Sequence, residues 1–284
     1  MSQVALLAQR LRVEERLLIT AFAEKGWEAI LVRPGDLSLP LQAAGTAVSP
    51  LWQAVVDRTP ATLESVALAA LLAAAGLTVV NRTATTRLLA DRLALLRHLT
   101  IGQIPVPPTL ASFGPESTLR AVEALGYPVY LKSLHCNPAM PVALVEDRDA
   151  AEALVEHRSM LGDERAVLVQ KAMADPNGSV RLLLVGQRLL AASRLAGERW
   201  TIVDDARWIP LATAVCQRLG SGVYEIEVVE TASGPVVISA SNALEFRSLV
   251  EQGVPVAEAI AEYVVTGIGE TARASQSASE EIDE

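Results

Sequence analysis

The chain has 284 residues, 51% of them hydrophobic, which is enough for one large globular body or two. Its formal net charge is −9 and no basic stripe runs along it, which excludes a nucleic-acid-binding surface. Only 4% of residues are aromatic, so the cores must be Leu, Val and Ala packing. Two cysteines, Cys136 and Cys216, stand far apart without a CxxC spacing or a preceding secretory signal, which points to a reduced, cytoplasmic setting. The longest apolar run, 66–80, is interrupted by Gly76 and Thr78 and is too short to span a bilayer.

In chain order, an apolar run at 4–7 predicts a strand, and the pattern through Leu17, Leu18, Ala21 and Phe22 predicts a helix closed by Gly26. A second strand follows at 28–32, so the opening reads strand, helix, strand, the seed of a parallel sheet. Residues 37–52 are irregular, punctuated by Pro40, Gly45 and Pro50. A helix over 62–75 has no charge after Glu64, so it must be buried in its own domain or against a neighbour, and a strand follows at 78–81. Residues 1–84 therefore form a small α/β domain. A helix over 86–98 precedes a connector at 101–108, which Pro105, Pro107 and Pro108 hold extended. Then come a helix at 119–125, strands at 127–132 and 142–145, a helix at 147–160 and a strand at 166–170. The segment 185–188 (VGQR) is a hairpin signal between strands at 180–185 and 188–193. Helices are predicted at 209–219 and 256–265, and the tail 271–284 lacks apolar content and is expected to be disordered.

The densest polar chemistry lies in 223–247. Tyr224, Ile226 and Val228 alternate with Glu225, Glu227 and Val229, a strand with one apolar face and one bearing acids. Gly234 and Pro235 open a return arm to 241, which suits an antiparallel hairpin. Such pairing brings Glu227 toward Ala240 and Asn242, with Glu245 just beyond. One carboxylate and one amide give a partial oxygen site for a hard cation such as Mg²⁺. A solvent-facing acidic strand in a mixed sheet explains the same alternation.

Several strings occur together in one order: RLRVEERLL (10–18), GLTVVNR (76–82), Ala90-Asp91-Arg92, IPVPPT (104–109), GYPVYLK (126–132), SVRLLLVGQRLLAA (179–192) and SNALEFR (241–247). Their collinearity resembles the ATP-grasp ligases, in particular the RimK/LysX-like group. The resemblance implies an α/β ATP-grasp fold. Its parts would be an N-terminal pre-grasp domain (1–84), a central lid subdomain (85–165) and a C-terminal subdomain (166–270). It also implies ATP-dependent carboxylate–amine ligation through an acyl phosphate, on a small amino acid or a carrier protein, by a homo-oligomer.

Carried over residue by residue, the resemblance places Lys132 on the ATP phosphates. It places Arg92 where a second lysine is usual, and Gln170 and Lys171 at the adenine-side hinge. Arg181 falls in the substrate and phosphate region, without the acid usual at position 179, here Ser179. Of the expected Asp, Glu and Asn metal ligands, the chain offers Glu227, Ala240 and Asn242. The glycine-rich phosphate loop is replaced by 133–141 (SLHCNPAMP), which has two prolines and no glycine. These losses point to weak ATP binding, a damaged Mg²⁺ site and ligation that is weakened or lost. A second reading is a non-catalytic binding or regulatory subunit that pairs with an active paralogue.

Overall fold

The computed structural model describes residues 2–39, 41, 51–136, 142–160, 166–173, 178–196 and 199–280. Its first sheet is wholly parallel, in the order β2-β1-β3-β4, from β1 (Gln3–Leu7), β2 (Glu28–Val32), β3 (Trp52–Asp57) and β4 (Thr78–Val80). The two central strands are covered on both faces and so read as unbroken apolar runs. In β3 that run is only Ala54, Val55 and Val56, too short to stand out, and no strand is predicted there. Helix α1 (Val13–Glu24) covers one face through Leu18, Ala21 and Phe22. Helix α2 (Leu63–Ala74) covers the other through Ala69 and Leu72. Within this chain α2 is not buried on every side: Leu63 is 55% exposed and Ala67 also faces outward.

The helix expected at 86–98 is two helices, α3 (Thr83–Ala90) and α4 (Arg92–Ile101). They break at Asp91, whose backbone is extended and whose Oδ1 accepts the Ala94 N–H, capping α4. A second, antiparallel sheet has the order β5-β8-β6-β7, from β5 (Thr109–Ser112), β6 (Val129–Ser133), β7 (Ala143–Val145) and β8 (Val167–Lys171). Helices α5 (Pro115–Leu125) and α6 (Arg148–Met160) bury one of its faces through Val122, Val129, Leu131, Val155 and Val169. Because β8 pairs with β5 and β6, it belongs to this sheet, on the far side of the boundary expected at 165/166.

The third sheet is antiparallel, β11-β10-β9-β12-β13, from β9 (Val180–Gly186), β10 (Arg188–Ala196), β11 (Arg199–Val203), β12 (Gly222–Thr231) and β13 (Gly234–Ser241). One face packs Leu182, Leu184, Tyr224, Ile226 and Val228 against α3, α4 and α7 (Ile209–Leu219). The other carries Leu183, Val185 and Val223, which share a core with Phe22, Val56 and the last helix. Asn81, just after β4, fastens the first sheet to the third: its side chain donates to Val223 O and accepts the Val223 N–H. At Gly222 an added Cβ would collide with Asn81 Oδ1, so this approach requires glycine. After α8 (Arg247–Glu251), helix α9 (Val256–Glu280) runs through most of the segment expected to be disordered. Among the described residues no helix is long and apolar enough to cross a membrane.

Candidate active site

The helix-free face of the second sheet opposes the hairpin of the third across a cleft. Period-2 alternation on β6 and β8 sends Val129, Leu131 and Val169 into the core beneath α5 and α6, and Lys132 and Gln170 the other way. The cleft's main cavity, about 410 Å³, is bordered by Arg92, Tyr130, Lys132, Glu227, Ala240 and Asn242. A narrower apolar recess opens beside it, walled by Leu95, Leu96, Leu99, Leu168, Val237 and Ile238, with Gln170 at its edge. Arg92 and Lys132 border both spaces.

Lys132 Nζ donates to Gln170 Oε1 at 2.6 Å, and Gln170 Nε2 donates to Thr109 Oγ1 at 3.1 Å. Burial, aided by the Arg92 charge, brings the Lys132 ammonium down to a pKa of about 8. Arg92 Nη1 donates to Ser133 O, Ser133 Oγ and His135 O at 2.9–3.0 Å, so it also fixes the chain leaving β6. The rest of the replaced phosphate loop, 137–141, lies outside the described residues.

The hairpin register sets the acids. Glu227 pairs with Ser239 and Glu225 with Ser241, with an irregularity between Glu227 and Val228, so Ala240 lies opposite Ile226. Both Glu227 oxygens are engaged, Oε1 by Ser179 Oγ at 2.6 Å and Oε2 by Ser239 Oγ at 3.2 Å. Ser179 thus restrains Glu227 and gives Arg181 no orienting charge. Asn242 is 3% exposed, and its amide clasps the loop after β3: Oδ1 accepts the Ala61 N–H and Nδ2 donates to Thr59 O. Mg²⁺ takes an octahedron of oxygens, and the carboxylate that the described residues bring to this cavity is Glu227, each of whose oxygens already accepts one serine hydroxyl. Among the described residues no three His, Cys, Asp or Glu side chains are grouped to hold a metal ion.

Arg181 stands apart, in a small recess with Glu225, Glu245, Ser193 and Trp200. Its guanidinium stacks 4.0 Å from the Trp200 ring centroid, and its Nε lies 3.9 Å from Glu225 Oε1. Burial raises the Glu225 carboxyl to a pKa of about 7, against the pull of Arg181. Glu225 was visible only as one acid of an alternating strand. Glu245 joins this recess and not the Glu227 cavity. Lys171 also departs from expectation: its Nζ donates to Gly126 O and Tyr127 O, beyond the end of α5, and its N–H donates to Pro108 O. The structure therefore gathers Arg92, Lys132, Gln170, Glu227 and Asn242 around one cleft and leaves Arg181 and the Lys171 side chain outside it.

The family described as LysX preATP-grasp domain matches residues 4–88. A RimK domain ATP-grasp protein from Sphaerobacter thermophilus DSM 20745, known from its crystal structure, is 53% identical with a TM-score of 0.87. That match covers 93% of this chain and 100% of that one. The probable alpha-L-glutamate ligase 2 of Shewanella amazonensis is 24% identical, covering 88% of this chain and 90% of its own length. The glutamate–LysW ligase ArgX of Sulfurisphaera tokodaii is 22% identical over 92% of this chain and 98% of its own length.

Proposed function

We propose that this chain, which belongs to the RimK/LysX-like ATP-grasp ligase family, binds ATP in the cleft between its second and third sheets, and that its carboxylate–amine ligation is weakened or lost. The observation that carries this reading is the charge pattern of the main cavity. Lys132 and Arg92 face it, and its one described acid, Glu227, is held by two serine hydroxyls. The apolar recess beside Gln170 suits a flat base, and the two cations suit the phosphates. In the ancestral reaction a substrate carboxyl takes the γ-phosphoryl group, and an amine then displaces phosphate. That step needs the developing negative charge neutralised. Here Lys132 and Arg92 do so without a complete set of metal ligands.

The substrates that fit the relatives' printed names are an acidic amino acid and a carrier protein. A binding or regulatory role beside an active paralogue follows if ligation is absent, and the tethered Glu227 favours it. For assembly the proposal is a homo-oligomer, with the outward face of α2 as the contact. Calorimetric titration with ATP, with and without Mg²⁺, tests the reading. Weak binding is expected, with Kd on the order of 10⁻⁴ M, about −5.5 kcal/mol, changing little when the metal is added. Tight binding that requires Mg²⁺ would refute it.

A further inference from the structure

Ser239 stands where the two spaces of the cleft meet. It borders both the main cavity and the apolar recess, as Arg92 and Lys132 do. The register irregularity between Glu227 and Val228 brings it opposite Glu227, and residues directly opposed across a strand pair share one face of the sheet. Ser239 is exposed, and its Oγ donates to Glu227 Oε2 at 3.2 Å. Two neighbouring serines each lack one part of this arrangement. Ser179 Oγ donates to Glu227 Oε1 at 2.6 Å but lines neither space. Ser241 lines the main cavity, but its Oγ accepts the Ala243 N–H and, among the described residues, is bonded to no carboxylate.

A hydroxyl bonded to a carboxylate has an acceptor ready for its proton, which is what turns this weak nucleophile into a reactive one. Among the described residues both hydrogen-bond partners of Glu227 are neutral hydroxyls, so no bonded cation quenches its charge. Ser179 holds one oxygen of this carboxylate and so aims the other at Ser239. Phosphoryl transfer to a hydroxyl asks for little more than positioning, a carboxylate that takes the hydroxyl proton, and cations on the phosphates. The cleft brings these parts together from four distant points of the chain: Arg92, Lys132, Glu227 and Ser239.

We propose that the chain phosphorylates itself on Ser239, with ATP as the donor and Glu227 as the general base. Ser239 Oγ attacks the γ-phosphorus while its proton passes to Glu227 Oε2. The bond from the γ-phosphorus to the bridging oxygen breaks, and ADP leaves with the electron pair. Lys132 and Arg92 neutralise the charge on the transferred group. The phosphoserine carries a charge of about −1.5 to −2 at pH 7 and faces the same two cations, so each chain reacts once and then takes ATP poorly. The inference rests on reading the cleft as an ATP site, and it supplies an acceptor that needs no second substrate.

Mass spectrometry of the full chain, treated with phosphatase and then incubated with ATP and Mg²⁺, tests it. One phosphate per chain is expected on Ser239, at a rate independent of protein concentration, and ATP affinity should then be at least tenfold weaker. Ser239→Ala should take no phosphate, and Ser239→Thr, which keeps the hydroxyl, should be labelled at that position. Glu227→Gln, nearly the same shape, should slow labelling by about 100-fold or more. An unlabelled wild-type chain, phosphate on another residue with Ser239 unmodified, or Glu227→Gln labelled at the wild-type rate would each overturn the proposal. Calorimetric titration of the phosphatase-treated chain tells the two readings apart: ATP bound without any phosphate transferred sinks self-phosphorylation alone, whereas absent ATP binding sinks the reading of the cleft.

Discussion

Replacing Lys132 with methionine should weaken nucleotide binding and, at neutral pH, stabilise the nucleotide-free protein. The ammonium is lowered from 10.5 to about 8 by burial first and Arg92 second, and Glu227 offsets only part of this. At about 1.36 kcal/mol per unit, that shift corresponds to about 3 kcal/mol of disfavoured charge, which partial exposure reduces to about 2 kcal/mol. Methionine leaves Gln170 Oε1 without its donor, at a cost of about 1 kcal/mol, so the net gain is about 1 kcal/mol. Because the folded pKa is below the unfolded one, the penalty is complete below pH 8. It disappears between pH 8 and 10.5, where the unfolded chain still holds the proton, so wild-type stability rises with pH in that window and the variant loses its advantage. Nucleotide binding moves the other way. The protonated share falls from about 90% at pH 7 to about 10% at pH 9, so ATP affinity should drop about tenfold in wild type and stay level in the variant. Denaturant unfolding at pH 7 and 10.5 and calorimetry at pH 7 and 9 measure both effects. A variant that binds ATP like wild type, or is clearly less stable at pH 7, refutes this account of Lys132.

The remaining expectations are shorter. Ala240→Glu places a carboxylate beside Asn242 at the edge of the main cavity, and ATP should then raise the melting temperature further when Mg²⁺ is present; no change under any nucleotide condition would mean the hairpin is not the metal position. Lys171→Ala should cost about 1–2 kcal/mol by freeing the Gly126 and Tyr127 carbonyls, while a loss of ATP affinity beyond about threefold would return Lys171 to the nucleotide site. Leu72→Glu, at a fully buried position, should unfold the first domain with a penalty above about 3 kcal/mol. Leu63→Glu, on the exposed side of α2, should leave it folded, and light scattering that finds a wild-type monomer, or an oligomer untouched by Leu63→Glu, removes α2 as the contact.

The elements that the sequence concealed share a physical cause. β3 lies between β1 and β4 and is buried on both faces, so its run Ala54, Val55 and Val56 carries no alternation. β5 directly follows a proline-rich connector and spans four residues, and β11 mixes Arg199, Trp200 and Thr201 at the edge of its sheet. Asp91 falls inside the single helix that the apolar pattern spans over 86–98, whereas its extended backbone and its side-chain bond to the Ala94 N–H show that it begins a second helix. The Val180 to Ala196 hairpin and the 209–219 helix, by contrast, were legible because the turn residues and the apolar period agree there.

Within the site, charge was legible and its use was not. The resemblance placed Lys132, Arg92 and Glu227 in one site, while the residue pattern alone showed only that Lys132 ends a strand and Glu227 lies on the acid-bearing face of another. Whether a polar side chain serves a ligand or the fold depends on partners far away in the chain. Asn242 is bound to Thr59 and Ala61, some 180 positions earlier, and Lys171 to Gly126 and Tyr127. The same separation hides the surroundings of Arg58: Arg10 and Arg12 stand in one string, and Arg58 comes beside them only because β1 and β3 lie side by side. A single register irregularity at Glu227/Val228 has the largest effect. It sets Ser239, and not Ile238 as the register from the turn would, opposite Glu227, so the hydroxyl that holds this carboxylate comes from a position the alternation alone would not have chosen. A shift of one residue there decides whether Glu227 Oε2 faces a serine hydroxyl or an isoleucine side chain.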